Sequence, residues 1–461
     1  MVTRSPRFIL AVISALAMFW LASFAFAGED EARERWEEVH EKFYNPDQVE
    51  DQEGSDFGES VSLDELLLYA ESRNPRMRAS FDRWKAALEQ VPQSNSLPDP
   101  KFSYAYFIEP VETRVGPQRQ KFGLSQTIPM FGKLGLREEV GLHTADAASA
   151  NFEAIRLDLR FKITQIWNDY YYLRQAISIT KENVRLLTNF ENVALAQYAA
   201  GRAPHSAIIR AQVELGRLED RLRTLQDQRG PLSAALNAEI NRPEYTPLAW
   251  PESVEFRPVD LSQDELRTTL LIENPQLSAL ASMKERDAKA TRLAGKSSFP
   301  DLTLGLDYID TDHAINSGVP DSGKDAVIAK ATINIPLWSG RTSAEKSQAA
   351  AQLSATQNDY SHLKNRLIAS LERSHFELRD AERRVELYAY TLLPKARQSL
   401  EVTKNGFTSG DVDFLDLIDA QRTLLEFELA YERAQADRST RRAKLEQIVG
   451  TDLDAVKKTE E

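Results

Sequence analysis

The sequence predicts a mixed, mainly α-helical fold: a tandem-repeat protomer with long antiparallel coiled-coil hairpins plus four transmembrane β-strands. Three observations predict it. Apolar residues recur in alternating steps of three and four over spans much longer than a globular helix. In two stretches the apolar period drops to two, with turn residues between the runs. The whole order of elements then occurs a second time, roughly 200 residues later, a period too long for a solenoid unit.

Composition and the N-terminus narrow the setting. The chain has 461 residues and a formal net charge of −13, which argues against a nucleic-acid phosphate backbone as partner. It has no cysteine, which removes disulfides, thiolate metal sites, cysteine catalysis and a lipid-modified cysteine. Arg4 and Arg7 precede an uncharged run over 8–27 that ends Ala25-Phe26-Ala27, followed by Gly28-Glu29-Asp30. This pattern predicts a cleaved signal peptide over 1–27. The competing reading is an uncleaved anchor, because the run is long enough to span a bilayer. Both put the rest of the chain outside the cytoplasm. No other apolar stretch of that length follows, so a membrane role would fall to β-strands.

Residues 28–61 are acidic, have little periodicity and predict a partly ordered lead-in, in which Trp36, Phe43 and Tyr44 are available to pack. The first repeat covers 62–242. Ser62 and Glu65 match a capping box. The short helix they open ends before Asn74-Pro75, because a residue preceding proline is pushed out of the α region. A second helix is expected over about 76–93, and Leu97-Pro98-Asp99-Pro100 breaks it. A β-hairpin follows at about 102–129. Phe102, Tyr104, Tyr106 and Ile108 share one face of its first strand, and a polar turn holds Pro110, Gly116 and Pro117. The return strand sets Phe122, Leu124 and Ile128 against Lys121, Gly123, Ser125 and Thr127. A long helix then runs from about 134 to 198, with a stripe at Ile155, Leu159, Ile163, Ile166, Tyr170, Leu173 and Ile177. At 1.5 Å per residue it spans roughly 100 Å, which no globular domain requires. A tip at 201–204 reverses the chain into a return helix over about 206–241.

After a proline-containing connector over 243–261, the second repeat covers 262–450. Ser262 to Leu266 match Ser62 to Leu66, and Asn274-Pro275 match Asn74-Pro75. A hairpin at about 302–336 alternates Leu302, Leu304, Leu306 and Tyr308 with Thr303, Gly305 and Asp307. The second long helix carries Tyr360, Leu363, Leu367, Leu371, Leu378, Ala381, Val385, Tyr388 and Leu392, and Pro394 should kink it. The second tip lies at 408–411. There Gly410 supplies the backbone freedom for a reversal, and Asp411 suits the N-cap of the outgoing helix. A polar tail fills 451–461.

Strands of 9 to 11 residues suit a tilted bilayer crossing. Four strands cannot close a barrel, and lipid demands closure. Three copies give twelve strands, with the hairpins bundled below as a tube. The lipid-facing rows are then Phe102, Tyr104, Tyr106 and Ile108, and Leu302, Leu304, Leu306 and Tyr308. The competing reading is that these strands pack a soluble core.

The ordered double set now carries a resemblance. The strand ends Ser125-Gln126-Thr127-Ile128-Pro129 and Asn334-Ile335-Pro336, with the paired tips Tyr198/Gly201 and Phe407/Gly410, resemble the outer-membrane efflux protein (TolC) family over 62–450. The resemblance implies a homotrimer: a twelve-stranded barrel in outer-membrane lipid on a periplasmic α-helical tunnel. It implies a passive exit duct for a tripartite efflux or type I secretion system, joined to an inner-membrane pump by a periplasmic membrane-fusion adaptor. No catalysis, cofactor or metal is implied. The positions matching the family's entrance aspartates are Asp416 and Asp419, and three copies would place an anionic ring in the pore. The plain alternative is that they are solvated charges suited to a helix start. Phe407 lacks the hydroxyl with which some relatives latch the entrance, and Val412 replaces a basic residue. Ala207 and Arg210 stand at the first-repeat counterparts of the aspartates. Tyr198, Gly201, Phe407 and Gly410 mark where relatives meet the adaptor; otherwise these are connecting turns.

Enzyme motifs fail by inspection. His40-Glu41 leads to Tyr44, not the second histidine of a zinc helix, and Gly132-Lys133 lacks the spacing of a phosphate loop. A periplasmic coiled-coil adaptor or structural protein is the alternative of another class. Such an adaptor has one helical hairpin threaded through β-rich modules, whereas two hairpins and four strands are read here.

Overall fold

The computed structural model describes residues 27–44, 61–254 and 256–454. The expected signal peptide, save Ala27, and most of the expected tail lie outside the described residues. The chain divides into two compact units.

The first unit holds 27–42, 84–146 and 283–353 of the described residues. Part of the acidic lead-in forms a regular helix, α1 (Ala27–Tyr44), and 45–60 lie outside the described residues. Its apolar residues Ala32, Trp36, Val39 and Phe43 follow steps of four and three, but over only about three turns of a strongly charged stretch. Ala32 is buried, Trp36 stacks on His40 at 5.2 Å with the Lys85 ammonium over its ring, and Arg33 pairs with Glu89 at 3.1 Å. Lys42 in the last turn complements the helix dipole.

The sheet belongs wholly to this unit. Strands β1 (Lys101–Thr113), β2 (Gly116–Ile128), β3 (Leu302–Thr311) and β4 (Ala326–Ile333) lie in that order, all antiparallel. β2 pairs with β3, so one sheet draws on both repeats. The register aligns Tyr104, Phe122, Tyr308 and Val327 across the four strands, and likewise Phe102, Leu124, Leu306 and Ala329. Phe102, Tyr104, Tyr106, Leu304 and Leu306 are exposed and Ile108 is 89% exposed, while Leu302 and Tyr308 are half-buried. β1 does not stop at Pro110 as expected. It continues to Thr113 because a register shift between Tyr106 and Val111 accommodates the proline. Gly116 then turns at φ +132°, where a Cβ would strike the Asp312 carbonyl. Below the sheet, the buried Lys133 donates to the Phe299 carbonyl and to Asp301, each at 2.8 Å. That anchoring contact is the role of the Gly132-Lys133 pair.

The second unit holds 43–44, 61–83, 147–254, 256–282 and 354–454. Both capping boxes form, at Ser62 before α2 (Leu63–Arg73) and at Ser262 before the matching helix Gln263–Glu273. The Asn-Pro pairs do more than end these helices. Asn74 Oδ1 accepts from the backbone of Arg76 and Met77, capping α3 (Pro75–Asn95), and its amide donates to the Glu239 carbonyl at 2.7 Å. Asn274 repeats this, capping Leu277 at 3.0 Å and donating to the Ile448 carbonyl at 2.7 Å. Proline at the first helical position needs no N–H there. Each asparagine thus ties the start of its repeat to that repeat's own return helix.

α4 (Lys133–Ala199) is the expected long helix. The single return helix expected after it is two, α5 (His205–Asp227) and α6 (Arg229–Glu239). Pro231 causes the break: it has no N–H for the Asp227 carbonyl, and its ring collides there. α7 (Gln263–Glu273) and α8 (Pro275–Gly295) open the second repeat. α9 (Ser339–Leu387) follows, then a π-helical turn over Tyr388–Leu392, then α10 (Leu393–Ser409). The kink expected from Pro394 is this π turn, and the buried seam moves from the expected Leu392 to Leu393. α11 (Phe414–Val449) runs unbroken to Gly450, at φ +102°.

Candidate functional site: the paired helical tips

The two tips lie side by side in the second unit, joined where Gln197 Nε2 donates to the Thr408 carbonyl at 3.1 Å. Beneath them α4, α5, α10 and α11 share one apolar core, with Leu187, Phe190, Ala211, Leu400 and Phe414 among its buried members.

The first tip turns on Gly201, at φ +73°, and Arg202 N–H reaches back to the Gln197 carbonyl at 2.8 Å. This six-to-one bond is the Schellman closure of a helix end. Tyr198 is 47% exposed, its ring 5.4 Å from that of His205.

The second tip turns on Gly410, at φ +89°, and Asp411 N–H reaches the Gly406 carbonyl at 2.8 Å. The expected N-cap at Asp411 is corrected. After the left-handed glycine the chain needs two further residues to turn, and Asp413, extended at ψ 153°, caps α11 by accepting from Phe414 N–H. Asp411 instead accepts from the Ser409 hydroxyl at 2.8 Å. Gly406 was missed by sequence reasoning. A Cβ there would lie 2.5 Å from Val412 Cγ2, so Val412 folds over the bare glycine and closes the tip with an apolar contact. The two aromatics before the glycines part company: Phe407 is 6% exposed and packs on Phe414 at 5.3 Å, whereas Tyr198 faces outward.

Asp416 and Asp419 lie one turn apart on α11, both exposed, beside the exposed Leu415. Arg422 sits one turn further on. It gives Asp419 only a long contact of 3.5 Å and turns its main grip to Glu214 of α5, with Nε donating to Oε1 at 3.0 Å and Nη2 to Oε2. Arg422 holds the Glu214 carboxyl below its usual range against the opposing effect of burial. Among the described residues, Asp419 thus shares Arg422 with Glu214, and no ion pair holds Asp416. Neither Glu214 nor Arg422 was singled out from sequence. The available cue was that Glu214 continues the buried spacing of Ala207, Ala211 and Leu218, and a carboxylate on a seam calls for a cationic partner. Among the described residues no three acidic or histidine side chains converge as metal ligands.

Residues 266–451 match the family model described as outer membrane efflux protein. The cobalt-zinc-cadmium resistance protein CzcC of Cupriavidus metallidurans is 23% identical over 381 residues, 80% of this chain and 85% of that protein. Among solved structures, the outer membrane protein VceC of Vibrio cholerae superposes with a TM-score of 0.70 at 17% identity, covering 85% of this chain and 96% of that one. The open state of the Neisseria gonorrhoeae MtrE outer membrane channel gives 0.68 at 19% identity, covering 85% and 89%. The shared fold is mainly α-helical, with long helices and a four-stranded antiparallel sheet.

Proposed function

We propose, for a chain that belongs to the outer membrane efflux protein family, that it is the passive outer-membrane exit duct of a tripartite efflux or type I secretion system. The observation that carries this reading is the sheet. Its outer strands, β1 and β4, each pair on one side only among the described residues, and one face is an exposed apolar row. Lipid tolerates no open sheet edge, so the edges of one copy meet those of others, and three copies close a twelve-stranded barrel. The long hairpins then form the periplasmic tunnel.

In that trimer Asp416 and Asp419 ring the periplasmic entrance. Their exposed carboxylates would act on passing ions, because the main grip of Arg422 is on Glu214 and its contact with Asp419 is long. The tips at Gly201 and Gly410 meet the periplasmic adaptor that joins the duct to its inner-membrane pump. Tyr198 offers that contact a ring, while Phe407 contributes from within by fixing the shape of the second tip. The C. metallidurans relative is a cobalt-zinc-cadmium resistance protein, which together with an acidic entrance favours cations as one class of cargo.

The test is native mass spectrometry of the detergent-extracted protein, followed by conductance in planar bilayers. The expected result is a trimer whose preference for potassium over chloride falls severalfold, by roughly two- to fivefold, in the double variant Asp416→Ala/Asp419→Ala. A detergent-independent monomer or dimer would overturn the duct.

A further inference from the structure

The polar face of the sheet carries a charge arrangement in which the tips play no part. Asp307 on β3 is 2% exposed. Its carboxylate oxygens are taken by two lysines from the flanking strands, Lys121 of β2 at 2.9 Å from Oδ2 and Lys330 of β4 at 2.8 Å from Oδ1. Glycines make the room. A Cβ on Gly123 would lie 2.6 Å from Asp307 Oδ1, and one on Gly305 would lie 2.6 Å from Lys330 Cε. The carboxylate therefore lies down over Gly123, and the Lys330 stem crosses Gly305.

The layering fixes the sign of the surface. The lysine side chains are 36% and 40% exposed, and that of Asp307 is 3% exposed. Negative charge lies beneath and positive charge outermost, with one carboxylate against two ammoniums. Each ammonium has three donors, so the contact to a single carboxylate oxygen leaves donors unspent. Lys101, also exposed, lies in the same cross-strand row as Lys330, through Ser125 and Gly305.

We infer that Lys121 and Lys330, seated on Asp307, form an anion-attracting belt inside the barrel that sets the selectivity of its outer section. The inference rests on the duct reading, in which the apolar row faces lipid and this face lines the lumen. Closure by three copies repeats the belt three times around the pore. Rings of lysine are a known means of favouring anions in pores, and lumen substitutions tune barrel selectivity. The ions favoured at the belt are small anions such as chloride, a preference local to the barrel and separate from that of the acidic entrance.

A merely structural ion triad and a selectivity belt make different demands on the same variants. Lys121→Gln/Lys330→Gln and Asp307→Asn break the same ion pairs, but they move the face charge in opposite directions. The measurement is the chloride-to-potassium permeability ratio in planar bilayers under a potassium chloride gradient, in an Asp416→Ala/Asp419→Ala background that silences the entrance. The double lysine variant, which removes two positive charges per copy, should lower the ratio by about two- to threefold, and Asp307→Asn, which removes one negative charge, should raise it by a smaller factor of about 1.5. Should Asp307→Asn fail to fold, Lys121→Arg/Lys330→Arg replaces it: retained charge should retain the ratio that glutamine lowers. A shift in the same direction for both charge changes, or no shift in channels that conduct, overturns the belt and leaves the duct standing. Absence of any channel from the unaltered protein overturns the duct and the belt with it.

Discussion

Glu214 and Glu432 are both carboxylates of the long helices, and their surroundings push them in opposite directions. Glu214 is held low by Arg422. Its contribution to stability is fully present above the unfolded carboxyl range and is lost as pH falls through the lowered value. Glu432 on α11 is pushed up by burial, with Glu428 adding to the shift, although the Tyr171 hydroxyl donates to it at 2.9 Å. Its contribution is fully present below the unfolded range and is lost as pH rises through the raised value. Glu432→Gln keeps an oxygen for Tyr171 and removes the charge. It should raise the thermal midpoint by about 1–2 °C at pH 7.5, and the difference should vanish near pH 4. Circular dichroism melts of the detergent-purified protein at the two pH values check this; a variant less stable at pH 7.5 would show that the charge is needed. Neither role was legible in the sequence, because each depends on which helix lies opposite. The placement of Asp416 and Asp419 near the start of α11 was legible because it is fixed locally, by counting from a glycine.

At the scale of elements, the π turn before Pro394 explains a discontinuity in the buried seam of the second long hairpin. Leu367, Leu371, Ser374, Leu378, Ala381 and Val385 are buried in steps of four and three. Two further steps of that kind would reach position 392, yet the next buried residue is Leu393, followed by Ala396 and Leu400. The seam is one residue late, and a π turn takes up one extra residue. Pro394 makes the site tolerable, since its missing N–H and its clash with the Tyr390 carbonyl would break a straight helix in any case. Deletion of Ala389 combined with Pro394→Ala should therefore restore a continuous α-helix and keep every later seam residue in phase. Deletion of Arg397 leaves the π turn and rotates the rest of α10 out of phase, burying polar groups around Phe407. The first variant should melt within about 2 °C of the unaltered protein, and the second should lose well over that; equal losses would show that the turn has no part in the phasing. Periodicity located both long helices, because a seam repeats many times. It placed Leu392 in the core because a single-residue phase change leaves no mark on a pattern read in steps of three and four. α1 escaped for another reason: its seam of Ala32, Trp36, Val39 and Phe43, in steps of four and three, is too short to stand out in a strongly charged stretch.

On the scale of the whole molecule, duplication was legible wherever a repeated motif acts locally. Ser62 and Ser262 cap their helices identically, and Asn74 and Asn274 bind the ends of their own repeats. The pairing of β2 with β3 was not legible, because it joins segments from different repeats and depends on no local signal. That pairing gives the sheet its meaning, since it aligns the apolar rows of both repeats on one face and the lysines on the other. The two faces should answer differently to the same charge. Leu306 lies on a central strand within the apolar row, in register with Leu124 and Ala329. In the proposed barrel Leu306→Arg would place a guanidinium in hydrocarbon and should cost about 2–4 kcal/mol near the bilayer midplane. Thr332 lies on the opposite face, in register with Thr303. Thr332→Arg meets a wet lumen and should cost less than about 1 kcal/mol. Urea titration of the protein folded into phospholipid vesicles measures both. A large loss confined to Leu306→Arg is the signature of one face in lipid and one in water. Equal losses would place both faces in the same medium, and the four strands would then have to be packed within protein.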